Sequence, residues 1–207
     1  MCGIVGYAGE KPAAPVLIES LKKLEYRGYD SAGITVQEGK LETYKTVGKI
    51  VNLEAELPEN LGGDVGIGHT RWATHGRPST VNSHPHTSGN EVKISVVHNG
   101  IIENYLKLKE RLIEEGYEFK SETDTEVAAH LVYDYLQQGD DLLAAVSKSV
   151  VRFKGAYALL VVDSEDPDRI VVSRVASPLV IGLGIGENFV ASGAPALLPV
   201  TQRFIYL

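Results

Sequence analysis

The order in which strand and helix patterns follow one another constrains the fold of this chain more than any other feature. Patterns of buried strands open the sequence, helical patterns occupy most of 103–151, and short strand patterns return from 156 onward. Strict alternation of strand and helix is rare, so this order predicts an α+β fold with mainly antiparallel sheets and helices on their faces. No internal repeat or low-complexity linker divides the 207 residues, and we expect one domain over 1–207.

Apolar spacing and turn residues place the individual elements. The predicted strands are 2–7, 32–37, 41–47, 64–69, 93–98, 156–163, 169–174, 178–183, 188–192 and 203–207. The predicted helices are 15–26, 50–57, 103–115, 141–151 and one that begins after residue 123. Thr123 is the predicted N-cap of that helix, because Glu126 three residues later completes the capping-box spacing.

Composition limits the partners and the compartment. The net charge of −7 argues against a nucleic acid or an anionic membrane as partner. A single cysteine excludes an internal disulfide and fits a reducing compartment, and no signal-peptide pattern opens the chain. The longest apolar stretch, 156–162, is too short to cross a bilayer. We therefore expect a cytoplasmic protein, and the apolar strand at 203–207 suggests a fragment of a longer chain.

The one cysteine, Cys2, stands directly after Met1. Removal of Met1 would give Cys2 a free α-amine beside its thiol, and one residue would then supply both a nucleophile and a base. An α-amine titrates at about pH 8, where a weak base is useful. The alternative is that Cys2 is a small apolar residue that opens a buried strand, because free cysteines are usually buried.

Five of the six histidines lie within thirty positions, and this clustering raises the alternative of a zinc site. They are His69, His75, His84, His86 and His98. His84 and His86 would share one face of an extended segment, but no recognised zinc-ligand spacing accompanies them. Hydrogen bonds from imidazole rings to loop backbone are the simpler explanation for most of them, and we expect neither a metal nor a cofactor.

Several side chains have groups that suit an amino acid as substrate. Asn99 and Gly100 offer a side-chain NH₂ and a backbone N–H, which could hold an oxyanion at the end of a predicted strand. A tight turn is the alternative, although the helix pattern that follows disfavours a hairpin. Arg71 and Asp124 could bind an α-carboxylate and an α-ammonium, or could be solvated or structural charges. Trp72 is either a core residue or a gate in a mobile loop.

Five stretches resemble the class II glutamine amidotransferases, which are N-terminal nucleophile hydrolases. They are 1–6 (MCGIVG), 24–33 (LEYRGYDSAG), 69–76 (HTRWATHG), 97–104 (VHNGIIEN) and 121–126 (SETDTE). The first is shared by several branches of that class. The second and third resemble, much more specifically, the glutaminase domains of the glucosamine-6-phosphate synthase family. The resemblance covers essentially the whole chain.

The resemblance implies a four-layer α-β-β-α sandwich of the N-terminal nucleophile hydrolase type, and hydrolysis of L-glutamine to glutamate and ammonia. It implies that Cys2 attacks the side-chain amide and forms a thioester, while Asn99 and Gly100 hold the oxyanion. It assigns Arg71 to the α-carboxylate of glutamine and Asp124 to its α-ammonium. These roles agree with the charges and donors of the residues.

The resemblance also implies that a loop around 72–80 closes over the substrate. The members of this loop in the expected substrate-binding set are Trp72, Thr74, His75 and Gly76. Trp72 would gate the ammonia, and Arg27, the last member of the set, would lie near the nucleophile. In a full-length protein, a C-terminal sugar isomerase domain would use the ammonia to make glucosamine 6-phosphate from fructose 6-phosphate, and that protein is expected to be a homo-oligomer.

One departure from the family pattern and one alternative function stay open at this point. Gly193 stands where the family usually has an aspartate, which puts the cap of the following helix in doubt. The alternative function is a glutamine-binding regulatory module that has lost turnover. Retention of Met1 would favour that alternative, because it blocks the amine that the reaction needs.

Overall fold

The structure is a computed structural model that describes residues 2–73 and 76–207. Its strands are β1 (Gly3–Ala8), β2 (Ser31–Glu38), β3 (Lys40–Val47), β4 (Val65–Arg71), β5 (His86–Ser88), β6 (Ile94–Gly100), β7 (Tyr157–Asp163), β8 (Asp166–Val175), β9 (Val180–Leu183), β10 (Asn188–Ala191) and β11 (Phe204–Tyr206). Its helices are α1 (Ala13–Lys22), α2 (Ile50–Glu56), α3 (Tyr105–Glu114), α4 (Thr125–Gln137) and α5 (Leu142–Val150), with 3-10 turns at Glu25–Arg27 and Ala194–Ala196.

Two antiparallel sheets form the centre of the molecule. The larger sheet has the order β11-β9-β10-β1-β4-β2-β3, and the smaller has the order β5-β6-β7-β8. In the larger sheet, Gly3 pairs with Thr70 of β4, and Val5 pairs with Ala191 of β10. The first strand of the chain therefore lies in the middle of the larger sheet, hydrogen-bonded on both sides. These sheets confirm the expected α+β class.

Three hydrophobic clusters separate four layers. Alternation along β1 sends Ile4 into the space between the two sheets, whereas Val5 and Tyr7 face the opposite side and pack with α1 and α2. On the outer face of the smaller sheet, Val96 of β6 packs against Leu131 of α4. The order of layers is helix, sheet, sheet, helix, which confirms the four-layer expectation.

Two elements differ from the sequence prediction. β5 was not expected, because its polar residues His86, Thr87 and Ser88 show no apolar alternation, and only pairing with β6 makes it a strand. The helix predicted over 15–26 ends as α1 at Lys22 and resumes as the 3-10 turn Glu25–Arg27. No helix in the ranges 2–73 and 76–207 has both the length and the apolar character needed to cross a bilayer.

The predicted capping box at the start of α4 is wrong. The N-cap is Asp124, and no side chain caps the helix there. Glu126 instead accepts hydrogen bonds from the backbone N–H groups of Lys120 at 2.9 Å and Ser121 at 2.7 Å. The Thr123 hydroxyl instead bonds the ring nitrogen Nε2 of His86 at 2.9 Å. The local spacing was right for a capping box, but the preceding loop folds back and takes the carboxylate.

Candidate active site

Cys2 lies directly before β1, at one end of the central strand of the larger sheet. The backbone N–H of Trp72 donates to its sulfur at 3.4 Å, and the sulfur lies 3.7 Å from the carbonyl oxygen of Trp72. The Cys2 carbonyl oxygen accepts hydrogen bonds from Arg27 Nε at 3.0 Å and from Asn99 Nδ2 at 3.3 Å. Cys2 is partly buried.

The surroundings of Cys2 keep its thiol protonated. Burial raises the pKa of the Cys2 thiol above its ordinary value, although the hydrogen bond from Trp72 and the nearby charge of Arg71 act in the opposite direction. A thiol with a raised pKa is neutral at pH 7, whereas the nucleophilic form is the thiolate. The thiol therefore needs a base, and a free α-amine on the same residue would lie next to it.

Cys2, Arg71, Gly100 and Asp124 line one pocket, although they come from four distant parts of the sequence. Arg71 ends β4 and is 3% exposed, and Asp124 precedes α4 and is 6% exposed. The alternative that they are solvated charges is therefore wrong. A thiol beside one buried cation and one buried anion is complementary to a zwitterionic amino acid.

The two charged residues are fixed by backbone groups. Arg71 Nη2 donates to the carbonyl oxygen of Gly76 at 3.1 Å, which joins the end of β4 to the loop that follows it. Asp124 Oδ2 accepts a hydrogen bond from the backbone N–H of Ile102 at 2.7 Å. The carboxylate is thus tied to the segment that directly follows Asn99 and Gly100.

Gly100 ends β6 in a conformation that only glycine adopts easily. Its φ is 136°, and a Cβ atom there would lie 2.1 Å from the carbonyl oxygen of Ala156. The hairpin alternative for the Asn99-Gly100 pair is wrong, because β6 pairs with β5 and β7 and the chain after Gly100 leads into α3. The Asn99 side chain reaches the Cys2 backbone, and Gly100 lines the same pocket as Cys2, so the two residues that the sequence predicts as oxyanion donors lie beside Cys2.

Arg27 connects the start of β1 to the segment after β10. Besides its bond to the carbonyl of Cys2, it donates from Nη1 to the carbonyl oxygen of Ser192 at 3.1 Å. Ser192 in turn accepts a hydrogen bond from the backbone N–H of Ile4 at its Oγ, at 3.1 Å. Gly193 precedes a single 3-10 turn, which has no side-chain cap. The contacts to β1 and to Arg27 come from Ser192, so they do not need a side chain at position 193.

The loop after Arg27 contacts the backbone on either side of Trp72, at Arg71 and Ala73. A Cβ atom on Gly28 would lie 2.5 Å from the carbonyl carbon of Arg71, so this approach requires glycine. The Asp30 carboxylate accepts a short hydrogen bond from the backbone N–H of Ala73. These contacts fix the segment whose Trp72 N–H reaches the thiol.

Trp72 is not a core residue, because its side chain is 48% exposed. Its ring meets the ring of Tyr29 edge-on, with the centroids 5.6 Å apart. Thr74 and His75, two members of the expected substrate-binding loop, lie outside the described residues. Gly76 is described, and its carbonyl bonds the Arg71 side chain at one wall of the pocket.

Four of the clustered histidines pack together beside the pocket. The rings of His69 and His84 lie 4.0 Å apart, and those of His84 and His86 lie 4.9 Å apart. Burial lowers the pKa of His69 to about 3, and it also lowers the pKa values of His84, His86 and His98. These imidazoles are therefore neutral at pH 7.

The contacts of these histidines are hydrogen bonds. In residues 2–73 and 76–207, no group of three or more His, Cys, Asp or Glu side chains is arranged to hold a metal ion. His69 Nε2 bonds the carbonyl oxygen of His98 at 3.0 Å, and His86 Nε2 bonds the hydroxyl of Thr123 at 2.9 Å. The fifth histidine, His75, lies outside the described residues.

Sequence reasoning missed three residues that shape the site. Gly28 and Asp30 lie in a stretch of the resemblance, but there only Arg27 was given a role. Thr125 lies between two acidic residues at the start of a helix, where a threonine is usually explained by capping. The sequence offers one signal for Gly28 and Asp30: they lie in a polar loop, interrupted by glycine, that follows a predicted helix.

A family model described as a glutamine amidotransferase domain matches residues 69–199. The chain is 62% identical to a glutamine–fructose-6-phosphate aminotransferase (isomerizing) of Methanosarcina mazei, and 56% identical to a protein of the same name from Yersinia pseudotuberculosis. These alignments cover all of this chain but 35% and 34% of the relatives, respectively. The chain thus spans about a third of the length of the curated relatives it matches.

Two solved structures share the fold. One is a glutamine phosphoribosylpyrophosphate amidotransferase from B. subtilis, with a TM-score of 0.83 and 31% identity. The other is described as the allosteric regulatory enzyme of purine biosynthesis, with a TM-score of 0.84 and 32% identity. Each similarity covers 100% of this chain and 44% of the other.

Proposed function

Because the chain belongs to the glutamine amidotransferase domain family, we propose that it hydrolyses the side-chain amide of L-glutamine to glutamate and ammonia. The observation that carries this proposal is the pocket that Cys2, Arg71, Gly100 and Asp124 line together. A nucleophile, a cation, an anion and a glycine backbone beside one another match the four groups of the substrate: amide carbon, α-carboxylate, α-ammonium and developing oxyanion.

Cys2 acts as the nucleophile once Met1 has been removed. Its α-amine takes the proton of the thiol, and the sulfur attacks the amide carbon to form a tetrahedral intermediate. The side-chain NH₂ of Asn99 and the backbone N–H of Gly100 stabilise the negative charge on oxygen. When the C–N bond breaks, the α-ammonium returns its proton to the leaving nitrogen, and ammonia departs. Water then hydrolyses the thioester, which releases glutamate and restores the thiol.

The α-groups of glutamine are held at the other end of the pocket. Arg71 binds the α-carboxylate, and its low exposure strengthens that interaction because little solvent screens it. Asp124 binds the α-ammonium, and its bond to the Ile102 backbone keeps the carboxylate in place. Trp72, Thr74, His75 and Gly76 complete the proposed binding loop. Arg27 supports the site through the backbone of the nucleophile.

We extend the proposal to the longer protein of which this chain would be the glutaminase domain, 1–207. The curated relatives named glutamine–fructose-6-phosphate aminotransferase (isomerizing) support it, since their identity to this chain is 62% and 56%. In that protein, a C-terminal sugar isomerase domain receives the ammonia and converts fructose 6-phosphate to glucosamine 6-phosphate. The proposed assembly is a cytoplasmic homo-oligomer that needs no metal or other cofactor for the glutaminase step.

The test is glutamate release by the purified chain, with its N-terminus read by mass spectrometry. We expect turnover when the chain begins at Cys2, and none in Cys2→Ala, whose melting temperature should stay close to that of the wild type. An electrophilic glutamine analogue should label the wild type once, at Cys2. Glutamine binding without glutamate release by a chain that begins at Cys2 would support the regulatory-module alternative instead.

The same assay separates the two levels of the proposal. With fructose 6-phosphate added, the chain alone should release glutamate at an unchanged rate and form no aminosugar. Enzyme-dependent glucosamine 6-phosphate, above a control with free ammonia, would contradict the assignment of the sugar chemistry to another domain.

A further inference from the structure

A threonine hydroxyl joins two buried histidines behind the pocket. Thr125 is the first residue of α4, and its side chain is fully buried. Its Oγ1 lies 2.7 Å from His84 Nε2 and 2.8 Å from His98 Nδ1. The other ring nitrogens, His84 Nδ1 and His98 Nε2, are buried and have no hydrogen-bond partner among the residues that the structure describes. Among the described residues, this hydroxyl is therefore the hydrogen-bond partner that the two rings share.

The hydroxyl also restricts where each ring carries its hydrogen. A neutral imidazole has one N–H, and a hydroxyl has one hydrogen to donate and can accept two. The Thr125 hydroxyl therefore cannot donate to both rings at once. At least one of the two nitrogens that face it, His84 Nε2 or His98 Nδ1, must carry a hydrogen.

The bridged rings lie next to two parts of the site. His98 directly precedes Asn99, and its backbone carbonyl oxygen accepts a hydrogen bond from His69 Nε2 at 3.0 Å. Its ring nitrogen Nδ1 lies 4.0 Å from Asp124 Oδ1. Asp124 is also the chain neighbour of Thr125. The neutral His98 ring does not hydrogen-bond the carboxylate at this distance, so its orientation affects Asp124 through packing in the pocket that both residues line.

We propose that Thr125 is a positioning residue for glutamine binding: its hydroxyl bridges His84 and His98, and the bridged His98 ring packs beside Asp124 and limits where its carboxylate can lie to meet the α-ammonium. The inference rests on the proposed function, because it takes Asp124 as the group that meets the ammonium. It predicts an effect on substrate affinity rather than on the chemical step, because neither ring reaches the thiol in the contacts described above.

The kinetic test compares Thr125→Val with Thr125→Ser. Valine has nearly the shape of threonine without the hydroxyl, and serine keeps the hydroxyl. We expect Thr125→Val to raise the KM for glutamine about tenfold while kcat changes less than about threefold, and Thr125→Ser to stay close to the wild type. Thr35→Val is the matched control. Thr35 is also fully buried and bonds two hydroxyls, those of Thr43 at 2.8 Å and Ser95 at 2.7 Å, but it lies in β2 away from the pocket.

A double-mutant cycle tests whether Thr125 acts through Asp124. In an Asp124→Asn background, Thr125→Val should add less than about threefold to KM, because the group it positions has lost its charge. A KM unchanged in folded Thr125→Val, or a tenfold penalty that persists in the Asp124→Asn background, would overturn the inference. If the wild type itself releases no glutamate, the proposed function fails. Failure of the variants beside an active wild type refutes only the role of Thr125.

A measurement on the wild type keeps the inference testable if Thr125→Val does not fold. Histidine ring ¹⁵N chemical shifts report which nitrogen of each neutral imidazole carries the hydrogen. We expect a hydrogen on His84 Nε2, on His98 Nδ1, or on both. If neither facing nitrogen carries one, the hydroxyl cannot bridge the two rings, and the inference is wrong.

Discussion

Mild acid should destabilise the folded chain, because its clustered histidines must stay neutral. His69 is fully buried, and its pKa is about 3 in the folded state against 6.5 for an ordinary histidine. Below pH 6.5 the unfolded state binds a proton that the folded state does not, so the free energy of unfolding falls as the pH falls. From pH 6.5 to pH 5 this difference amounts to about 2 kcal/mol for His69 alone, at about 1.4 kcal/mol per pH unit.

Two other groups with lowered pKa values, Glu126 and Lys45, add almost no pH dependence between pH 7 and pH 5, and the pKa of Asp163, raised by burial, acts in the opposite direction to the imidazoles. The lowered pKa values of His84 and His98 act in the same direction as that of His69, so the total loss exceeds the contribution of one ring. Glu126, with its pKa lowered to about 2, contributes stability that is lost only as the pH falls below 4.5. Lys45, with its pKa lowered to about 8, is charged in both states throughout this window.

The assay is urea denaturation at several pH values, on the wild type and on His69→Gln. A glutamine amide can replace the N–H that bonds the His98 carbonyl, but it does not titrate. We expect the wild type to lose more than about 2 kcal/mol between pH 7 and pH 5, and the variant to lose about 2 kcal/mol less. The two proteins are compared by how their free energy of unfolding changes with pH. A destabilisation by the substitution that is the same at every pH therefore does not affect the result. A flat wild-type profile, or equal slopes in both proteins, would refute the reasoning.

Three substitutions test single parts of the site. Asp124→Asn should raise the KM for glutamine by about one to two decades, since it removes a charge-assisted bond, and amides without an α-ammonium should show no such loss. Gly100→Ala should abolish glutamate release and lower the melting temperature, because its Cβ would lie 2.1 Å from the Ala156 carbonyl; a normal melting curve would contradict this. Arg27→Lys should lower kcat about tenfold with little change in KM, because one ammonium cannot span the two carbonyls that the guanidinium binds. Unchanged kcat would show that Arg27 is dispensable for placing Cys2.

Most strands and helices could be predicted, because apolar spacing alone decides them. β1 and the β2–β3 hairpin follow from alternation and a turn glycine. β5 could not be predicted, since a polar segment becomes a strand only where a neighbouring strand offers its free backbone groups. The predicted capping box at Thr123 is wrong for the opposite reason. The local pattern was present, but tertiary contacts from Lys120 and Ser121 to Glu126 replaced it.

Candidate site residues could be picked out from the sequence where their chemistry is rare in a core. A lone cysteine at position 2, a buried-strand arginine and an aspartate beside a helix start are each unusual enough to attract attention. Their proximity could not be derived, because it depends on which strands pair. Thr125 and Asp30 escaped notice because threonine and aspartate at such places are ordinarily explained by caps and turns.

Antiparallel strand pairing explains why residues distant in the sequence meet beside Cys2. The start of β1 lies beside the end of β4, so the antiparallel Gly3–Thr70 pair brings the next residues along, Cys2 and Arg71, together at the same end of these two strands. β6 belongs to the other sheet, yet it ends near the same place, where the Asn99 side chain reaches the Cys2 carbonyl oxygen. Cys2 directly precedes Gly3, the first paired residue of the central strand, so the pairing of β1 fixes the chain immediately after it.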